Sequence, residues 1–161
     1  MRELADAIFH RASALGVSIA VAESLTAGQV AAALVDTPGA SGYFKGGVVA
    51  YDSLVKHELL GVDAGVLATQ GAVSPEVATQ MAEGVCSLLH ADIGVATTGV
   101  AGPDPDEIGG HAPGLVFIAV AGTHLGTIVR ELHLDGDREQ IRQSAAKAAL
   151  QGLLDALDMV P

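Results

Sequence analysis

The sequence has little cysteine, few aromatic residues and few basic residues, and each shortage excludes a class of protein. The 161 residues include one cysteine, three phenylalanines, two tyrosines and no tryptophan. A single thiol, Cys86, forms no internal disulfide and no cysteine-based zinc cluster. We expect Cys86 to be a buried structural thiol in a helix. One free thiol fits a reducing compartment, so we expect a cytoplasmic protein.

Basic residues number 8 against 19 acidic ones, which gives a formal net charge of −11. The basic patch of a nucleic-acid-binding protein is therefore missing, and an anionic membrane surface would repel the chain. The longest strongly apolar run, residues 115–121, is too short to span a bilayer. The N-terminus carries Glu3 and Asp6 and has no signal-peptide core. We expect neither a nucleic-acid partner nor a membrane partner.

Hydrophobic residues make up 50% of the chain. Because so few of them are aromatic, alanine, valine and leucine must fill the hydrophobic core. Small aliphatic side chains suit helices packed tightly on a sheet. The mean hydropathy of +0.43 argues against disorder, and the length suits one domain over residues 1–161. The same generous apolar supply leads us to expect a homodimer or a higher homo-oligomer.

The hydrophobic pattern predicts helices and strands in an α/β order. Predicted helices cover 2–15, about 26–36, 53–60, 75–89 and a last segment that begins at 137. Predicted strands cover 17–22, 46–51, 93–97, 115–121 and 127–134, the last two forming a hairpin. Thr26 and Gln29 fit a capping box for the second helix. The order predicts an α/β fold, a three-layer α/β/α sandwich with a mixed, mostly parallel sheet.

Ser24 lies where a predicted strand turns into a helix. In open α/β sheets, ligands collect at the carboxyl ends of strands beside helix N-termini. A hydroxyl at this position can project into such a site while nearby N–H groups await an oxyanion. The alternative is that Ser24 or Thr26 only caps the helix. No general nucleophile or phosphate-loop motif decides between the two.

A serine nucleophile needs a base, and the six histidines have no triad spacing. Lys56 is one of only three lysines, and it can accept a proton only if burial or a nearby cation lowers its pKa. Tyr51, at the predicted end of a strand, is placed to relay a proton or to orient the amine. The alternative is that Lys56 lies on an exposed helix face.

Two further features have both a functional and a structural interpretation. The acidic loop of Asp104, Asp106, Glu107 and His111 offers ligands for a divalent metal, but it lacks the EF-hand spacing. A solvated loop is the favoured interpretation, and we expect no metal site. Arg138, in the first turn of the last helix, is placed to hold a phosphate, or else forms an ordinary surface salt bridge.

Five short segments occur in the order and spacing of the CinA C-terminal domain family. The chain resembles that family from about Leu4 to Leu157, and it resembles the stand-alone nicotinamide-nucleotide amidases, which lack the N-terminal domain of longer members. The segments are Ala22-Glu23-Ser24-Leu25-Thr26-Ala27-Gly28, Gly46-Gly47-Val48-Val49-Ala50-Tyr51, Gly71-Ala72-Val73-Ser74, Thr98-Gly99-Val100-Ala101-Gly102-Pro103 and Gly136-Asp137-Arg138.

The resemblance implies hydrolysis of the carboxamide of nicotinamide mononucleotide to nicotinate mononucleotide and ammonia, through an acyl-serine intermediate and without a metal or organic cofactor. By position, Ser24 matches the nucleophile, and Tyr51 and Lys56 match the pair that activates it. The matching substrate-binding residues are Ser41, Thr98 and Gly99 beside the nicotinamide, and Arg138 near the phosphate.

The chain departs from the family pattern in two places. Leu25 and Ala27 stand where the family usually has cysteine and glycine. In the loop 104–114, Pro105-Asp106 replace a usual glycine pair, which comes later at Gly109-Gly110, and a usual lysine is missing. Two other functions therefore stay open: a catalytically silent nucleotide-binding or partner-binding module of the same fold, or an amidase for a different small amide.

Overall fold

A five-stranded mixed sheet forms the middle layer of the structure, a computed structural model that describes all residues 1–161. In chain order the strands are β1 (Ile19–Glu23), β2 (Phe44–Val49), β3 (Ile93–Gly99), β4 (Leu115–Gly122) and β5 (Gly126–His133). Their order in the sheet is β2-β1-β3-β4-β5. β1 pairs in parallel with β2 and β3, whereas β4 runs antiparallel to β3 and β5. Four strands thus share one direction, and the predicted mixed, mostly parallel sheet is confirmed.

Helices cover both faces of the sheet. They are α1 (Arg2–Leu15), α2 (Gln29–Val35), α3 (Ser53–Leu60), α4 (Ala64–Gln70), α5 (Pro75–Leu89) and α6 (Arg138–Asp158), with a 3₁₀ turn at Ala40–Gly42. Alternate residues of β1 point to opposite faces, as the pleat requires. Ile19 and Val21 join the core under α1, α2 and α6, while Ala20 and Ala22 join the core under α3, α4 and α5. The predicted three-layer sandwich is confirmed. None of the helices has the length and apolar character that crossing a bilayer requires.

Most element boundaries agree with the sequence prediction. The predicted helices 2–15, 53–60 and 75–89 have the observed bounds, and β4 and β5 form the predicted hairpin. β2 begins and ends two residues earlier than predicted. The seven-residue helix α4 was not predicted, because so short a segment shows too little periodicity to be recognised.

The predicted capping box of Thr26 and Gln29 is wrong. Helix α2 begins only at Gln29, and its N-cap is Gly28, whose φ of 97° is left-handed and whose position has no side-chain cap. The Thr26 hydroxyl instead lies 2.8 Å from the Thr97 hydroxyl on β3. Because glycine adopts positive φ without strain, the chain makes a non-helical turn before α2 begins.

Cys86 lies in α5, half-buried, with its Sγ 3.8 Å from the carbonyl oxygen of Ala121. Burial, followed by the negative charges of Asp92 and Glu83, raises the pKa of the thiol to about 11. A thiol with so high a pKa is protonated at neutral pH and is a poor nucleophile. The structural role expected for Cys86 fits these surroundings.

Helix α3, which carries Lys56, is packed against α5 through a glycine. A Cβ added at Gly84 would overlap the backbone carbonyl of Leu60 at the end of α3. A backbone carbonyl moves only with its helix, so the close approach of α3 and α5 depends on the absence of a side chain at position 84. The glycine thereby sets the distance of Lys56 from the sheet.

We expect Gly84→Ala to lower the free energy of unfolding by about 2 kcal/mol or more, because the added methyl overpacks a backbone contact. Gly152→Ala in α6 is the matched control, since a Cβ there would make ordinary contacts of 3.7 Å with Ile118 and 3.9 Å with Val120. The control should gain up to about 1 kcal/mol from helix propensity. Urea denaturation measures both changes, and equal stability of the two variants would contradict the packing argument.

Candidate functional site

The carboxyl ends of β1, β2 and β3 open into one cavity of about 440 Å³. This is the edge of the sheet at which the sequence predicted a site. Six of the seven predicted site residues line the cavity, and the seventh, Ser41, does not. The six are Ser24, Tyr51, Lys56, Thr98, Gly99 and Arg138.

Ser24 is the first residue after β1 and begins the turn that leads to α2. Its backbone N–H donates to the carbonyl of Thr97 at 3.0 Å, which continues the pairing of β1 with β3 by one residue. Because α2 has no side-chain cap, the interpretation of Ser24 as a helix cap is wrong. Its hydroxyl oxygen instead lies 2.9 Å from the Nζ of Lys56.

Lys56 is fully buried, although lysine is rarely found without exposure. The expectation of an exposed helix face is therefore wrong. Its Nζ donates to the carbonyl of Ala50 at 2.6 Å, to the carbonyl of Tyr51 at 3.0 Å and to the Ser24 hydroxyl at 2.9 Å. These three contacts use the whole hydrogen-bonding capacity of the amine.

Burial lowers the pKa of Lys56 from 10.5 to about 8, because a charged amine loses its hydration there. The nearby carboxylate of Asp52, the N-cap of α3, acts in the opposite direction and raises that pKa. The sequence had offered burial or a nearby cation as the cause of a lowered pKa. Burial is the cause that applies.

Tyr51 contacts Lys56 through its backbone carbonyl, whereas its side chain contacts Arg138. The phenol is 60% exposed, and its oxygen accepts a hydrogen bond from Nη2 of Arg138 at 3.1 Å. It forms no hydrogen bond with Ser24 or Lys56. The structure thus gives Tyr51 a part in orienting the amine through its carbonyl, and it shows no contact through which the phenol relays a proton.

Arg138 begins α6 and joins two loops at the rim of the cavity. Its guanidinium donates to the carbonyl of Gly102, in the loop after β3, and to the phenol of Tyr51, in the loop after β2. No carboxylate lies within salt-bridge distance, so the surface salt-bridge interpretation is wrong. A guanidinium has five N–H donors, and those left over can hold an anion.

Thr98 and Gly99 shape the wall of the cavity at the end of β3. The Thr98 hydroxyl donates to the carbonyl of Ala72 at 2.6 Å and thereby fastens the segment before α5 to the sheet. A Cβ at Gly99 would come within 2.7 Å of the carbonyl oxygen of Leu115, so the strand passes β4 with no room for a side chain.

Ser41 lies in the exposed 3₁₀ turn that precedes β2, at the opposite end of that strand from the cavity. Within one chain it does not meet the other predicted residues. The substrate-binding role that the resemblance implies for Ser41 therefore finds no support in the arrangement of a single chain.

The backbone of the acidic loop folds around the carboxylate of Asp106. The carboxylate of Asp106 accepts the N–H groups of Gly109, at 2.8 Å, and of His111. Its carboxylate oxygens are therefore engaged by the loop's own backbone. The described side chains do not assemble into a group of three or more metal ligands. Asp106 and its neighbours Glu107 and Ile108 still form one side of the cavity.

Glu23 supports the turn after Ser24, a role that the sequence reasoning missed. This last residue of β1 is buried, and its carboxylate accepts the N–H groups of Gly28 at 3.0 Å, Val30 at 3.1 Å and Ala31 at 2.8 Å. It thus serves the unpaired amides at the start of α2 in place of a conventional cap. The sequence did contain a signal for this role, because Glu23 is an acidic residue in an otherwise apolar strand directly before a helix.

The whole cavity region has counterparts in known proteins. Residues 1–157 match the sequence profile of the CinA C-terminal domain. A CinA-like protein of Frankia casuarinae is 50% identical over 133 residues, which make up 83% of this chain and 30% of that protein. The chain spans about a third of the length of the curated relatives it matches.

Solved structures are similar over almost the full chain. A competence-damaged protein (CinA) superfamily protein of Klebsiella pneumoniae superposes with a TM-score of 0.93 at 30% identity and covers 99% of this chain and 98% of its own. The competence/damage inducible protein CihA of Agrobacterium tumefaciens gives a TM-score of 0.91 at 35% identity, with 96% and 94% covered.

We expect the amine of Lys56 to titrate at about pH 8, below the ordinary lysine value. Asp52→Asn should lower this pKa further, because it removes the negative charge that stabilises the ammonium but leaves a residue that caps α3 well. Carbon-13 NMR of the lysine side chains measures it, and the protein has only three lysines to assign.

Asp63→Asn at the N-cap of α4 is the matched control, since Asp63 does not contribute to the Lys56 pKa. It should leave the titration unchanged. A wild-type Lys56 that titrates near 10.5 would contradict the burial argument.

Proposed function

The chain belongs to the CinA C-terminal domain family, and we propose that it is an amidase that hydrolyses the carboxamide of nicotinamide mononucleotide to nicotinate mononucleotide and ammonia. The observation that carries this proposal is the 2.9 Å contact between the Ser24 hydroxyl and the buried amine of Lys56. A hydroxyl within reach of a base whose pKa lies near the working pH suits nucleophilic acyl transfer. The choice of substrate rests on the resemblance of the cavity segments to the amidases of the family.

Lys56 activates Ser24 in its neutral form. A pKa of about 8 leaves roughly a quarter of the amine neutral at about pH 7.5, against roughly one part in a thousand for an ordinary lysine. A neutral amine has two N–H bonds and one lone pair. When the carbonyls of Ala50 and Tyr51 accept the two N–H bonds, the lone pair faces the Ser24 hydroxyl and takes its proton.

The negative charge of the tetrahedral intermediate needs hydrogen-bond donors that are already in place. The backbone N–H group of Leu25, directly after Ser24, donates to no acceptor in the protein. Leu25 lines the cavity beside Ser24. We therefore assign the N–H group of Leu25 to the oxyanion.

The remaining steps use the same residues. As the first intermediate collapses, the ammonium of Lys56 gives its proton to the amide nitrogen. The carbon–nitrogen bond breaks, and the nitrogen departs as ammonia. A water molecule then attacks the acyl-Ser24 ester, with Lys56 again as the base. As the second intermediate breaks down, the ammonium of Lys56 returns its proton to the Ser24 oxygen and restores the hydroxyl. The freed carboxylic acid then ionises to the carboxylate product.

The cavity has the size and the charged group that a mononucleotide requires. Its volume of about 440 Å³ lies within the range of small-ligand sites. The free N–H groups of Arg138 at the rim suit a phosphate. The carboxamide would then lie toward Ser24.

We expect Ser24→Ala to reduce ammonia release from nicotinamide mononucleotide by at least about a thousandfold, because the nucleophile is lost. Stability should fall by only about 1 kcal/mol, since Ser24 caps no helix and only its hydrogen bond with Lys56 is lost. An ammonia assay over nicotinamide mononucleotide, nicotinamide and glutamine, with thermal melts alongside, makes the measurement. Ser87→Ala, on the exposed face of α5, is the control and should keep full activity.

The same assay separates the alternatives. Binding of nicotinamide mononucleotide without ammonia release would favour a silent binding module. Ammonia release from another amide alone would favour an amidase of different specificity.

We expect kcat/KM to rise with pH through about 8 and then to level, because the neutral amine of Lys56 is the active form. Lys56→Arg should be nearly as inactive as Lys56→Ala, since a guanidinium keeps its proton at these pH values. Rates measured from about pH 6 to 10 test both expectations. An active Lys56→Arg enzyme would show that Lys56 supplies only positive charge.

A further inference from the structure

The cavity is lined by more negative than positive side chains. Three carboxylates line it, those of Asp52, Asp106 and Glu107, and the two cationic side chains are Lys56 and Arg138. None of the three carboxylates lies within salt-bridge distance of a lysine or an arginine. In the proposed mechanism Lys56 acts in its neutral form, so Arg138 is then the only cation of the lining. A ligand therefore meets a negative field when the base is active.

Two of the carboxylates come from loops on either side of the reacting pair. Asp52 follows β2 and Glu107 lies in the loop after β3, and these two strands flank β1, whose end carries Ser24. Oδ1 of Asp52 accepts the N–H of Leu54 at 2.7 Å, and its other oxygen accepts no hydrogen bond within the protein. The charge of Asp52 raises the pKa of Lys56, so its field reaches the amine that contacts Ser24.

The loop that carries Glu107 packs against the segment before α5. A Cβ added at Gly71 would lie 3.1 Å from the Cβ of Ile108 and 3.5 Å from Oδ2 of Asp106, so the loop lies directly on this glycine. The carboxylate of Asp106 is engaged by N–H groups of its own loop. Glu107, the next residue, forms neither a side-chain hydrogen bond nor an ion pair. The loop thus presents a carboxylate with free acceptor sites to the cavity.

The amide of the proposed substrate is carried by a positively charged ring. The pyridine nitrogen bonded to the ribose is quaternary, so its charge does not depend on pH. For attack, the carboxamide carbon must approach the Ser24 oxygen to about 3–3.5 Å, and the attached ring then enters the space that Asp52 and Glu107 line. Opposite charges attract over such distances even where water partly screens them.

We propose that Asp52 and Glu107 are specificity-determining residues that select a positively charged aromatic ring as the carrier of the amide. This inference rests on the proposed function and names the part of the substrate that the two side chains recognise. It explains why carboxylates and an anion-binding arginine line one cavity, because the ring and the phosphate of a single ligand carry opposite charges.

The test compares two ligands that differ in the charge of the ring. Nicotinamide mononucleotide and its 1,4-dihydro form share the phosphate, the ribose and the carboxamide, but the dihydropyridine ring is neutral. The Ser24→Ala variant binds both without turnover. Isothermal titration calorimetry at about pH 9, where most of the Lys56 amine is neutral, measures both affinities. We expect the cationic form to bind at least about tenfold more tightly.

Glu107→Gln, made in the Ser24→Ala variant, should reduce this preference by about threefold, because it removes one charge from the cavity at almost constant shape. The loss should fall on the cationic ligand, and affinity for the dihydro form should stay within about twofold. Asp52→Asn should act in the same way and keeps a good cap for α3. Asp104→Asn is the matched control, since Asp104 is exposed in the same loop but does not line the cavity. It should leave the preference unchanged.

Equal affinity for the two ligands, or no measurable binding of either, overturns the inference. An equal loss of preference in Asp104→Asn and Glu107→Gln also overturns it, because the effect would then come from the net charge of the protein. If Asp52→Asn does not fold, Glu107→Gln decides alone, since that side chain has no partner to lose.

The proposed function fails separately, if the wild type releases no ammonia from nicotinamide mononucleotide. A preference for the cationic ring that depends on Glu107 would then still support the assignment of the two carboxylates.

Discussion

The site depends on a lysine amine that is kept out of water. Removing an ammonium from solvent is costly unless its hydrogen bonds are replaced, and the two carbonyls of Ala50 and Tyr51 together with the Ser24 hydroxyl replace all three. The incomplete compensation is what lowers the pKa of Lys56 to about 8. The close packing of α3 on α5 at Gly84 contributes to the burial of Lys56, because Lys56 lies on α3.

The turn after β1 is arranged around that amine from three directions. The carboxylate of Glu23 binds the first amides of α2, and the hydroxyl of Thr26 contacts that of Thr97 on the neighbouring strand. Arg142 of α6 donates a hydrogen bond to the carbonyl of Leu25. Each contact comes from a different element of the fold. The N–H group of Leu25 is left without a partner while the carbonyls of Ser24, Leu25 and Thr26 are occupied. A rigid turn with an unpaired donor suits the acyl-transfer site that we propose.

Local signals were sufficient for most of the fold and for the position of the site. Helix ends at Gly16 and Gly61 are readable because a left-handed glycine stops a helix wherever it occurs. The burial of Lys56 could not be predicted from the sequence. In α3, Leu54 and Leu59 are more than half exposed while Lys56 is buried, which inverts the usual amphipathic order. Only the neighbouring helix and loop decide that outcome, and they are absent from any local pattern.

The amine of Lys56 is held by main-chain atoms at two of its three contacts. A carbonyl oxygen survives almost any substitution of its own side chain, so residues around the rim, Tyr51 among them, can change in evolution without removing an acceptor from the base. Under the proposed function, substrate preference can therefore drift independently of proton transfer. A fold organised in this way is suited to diversify, because selection can vary what enters the cavity while the reacting pair stays intact.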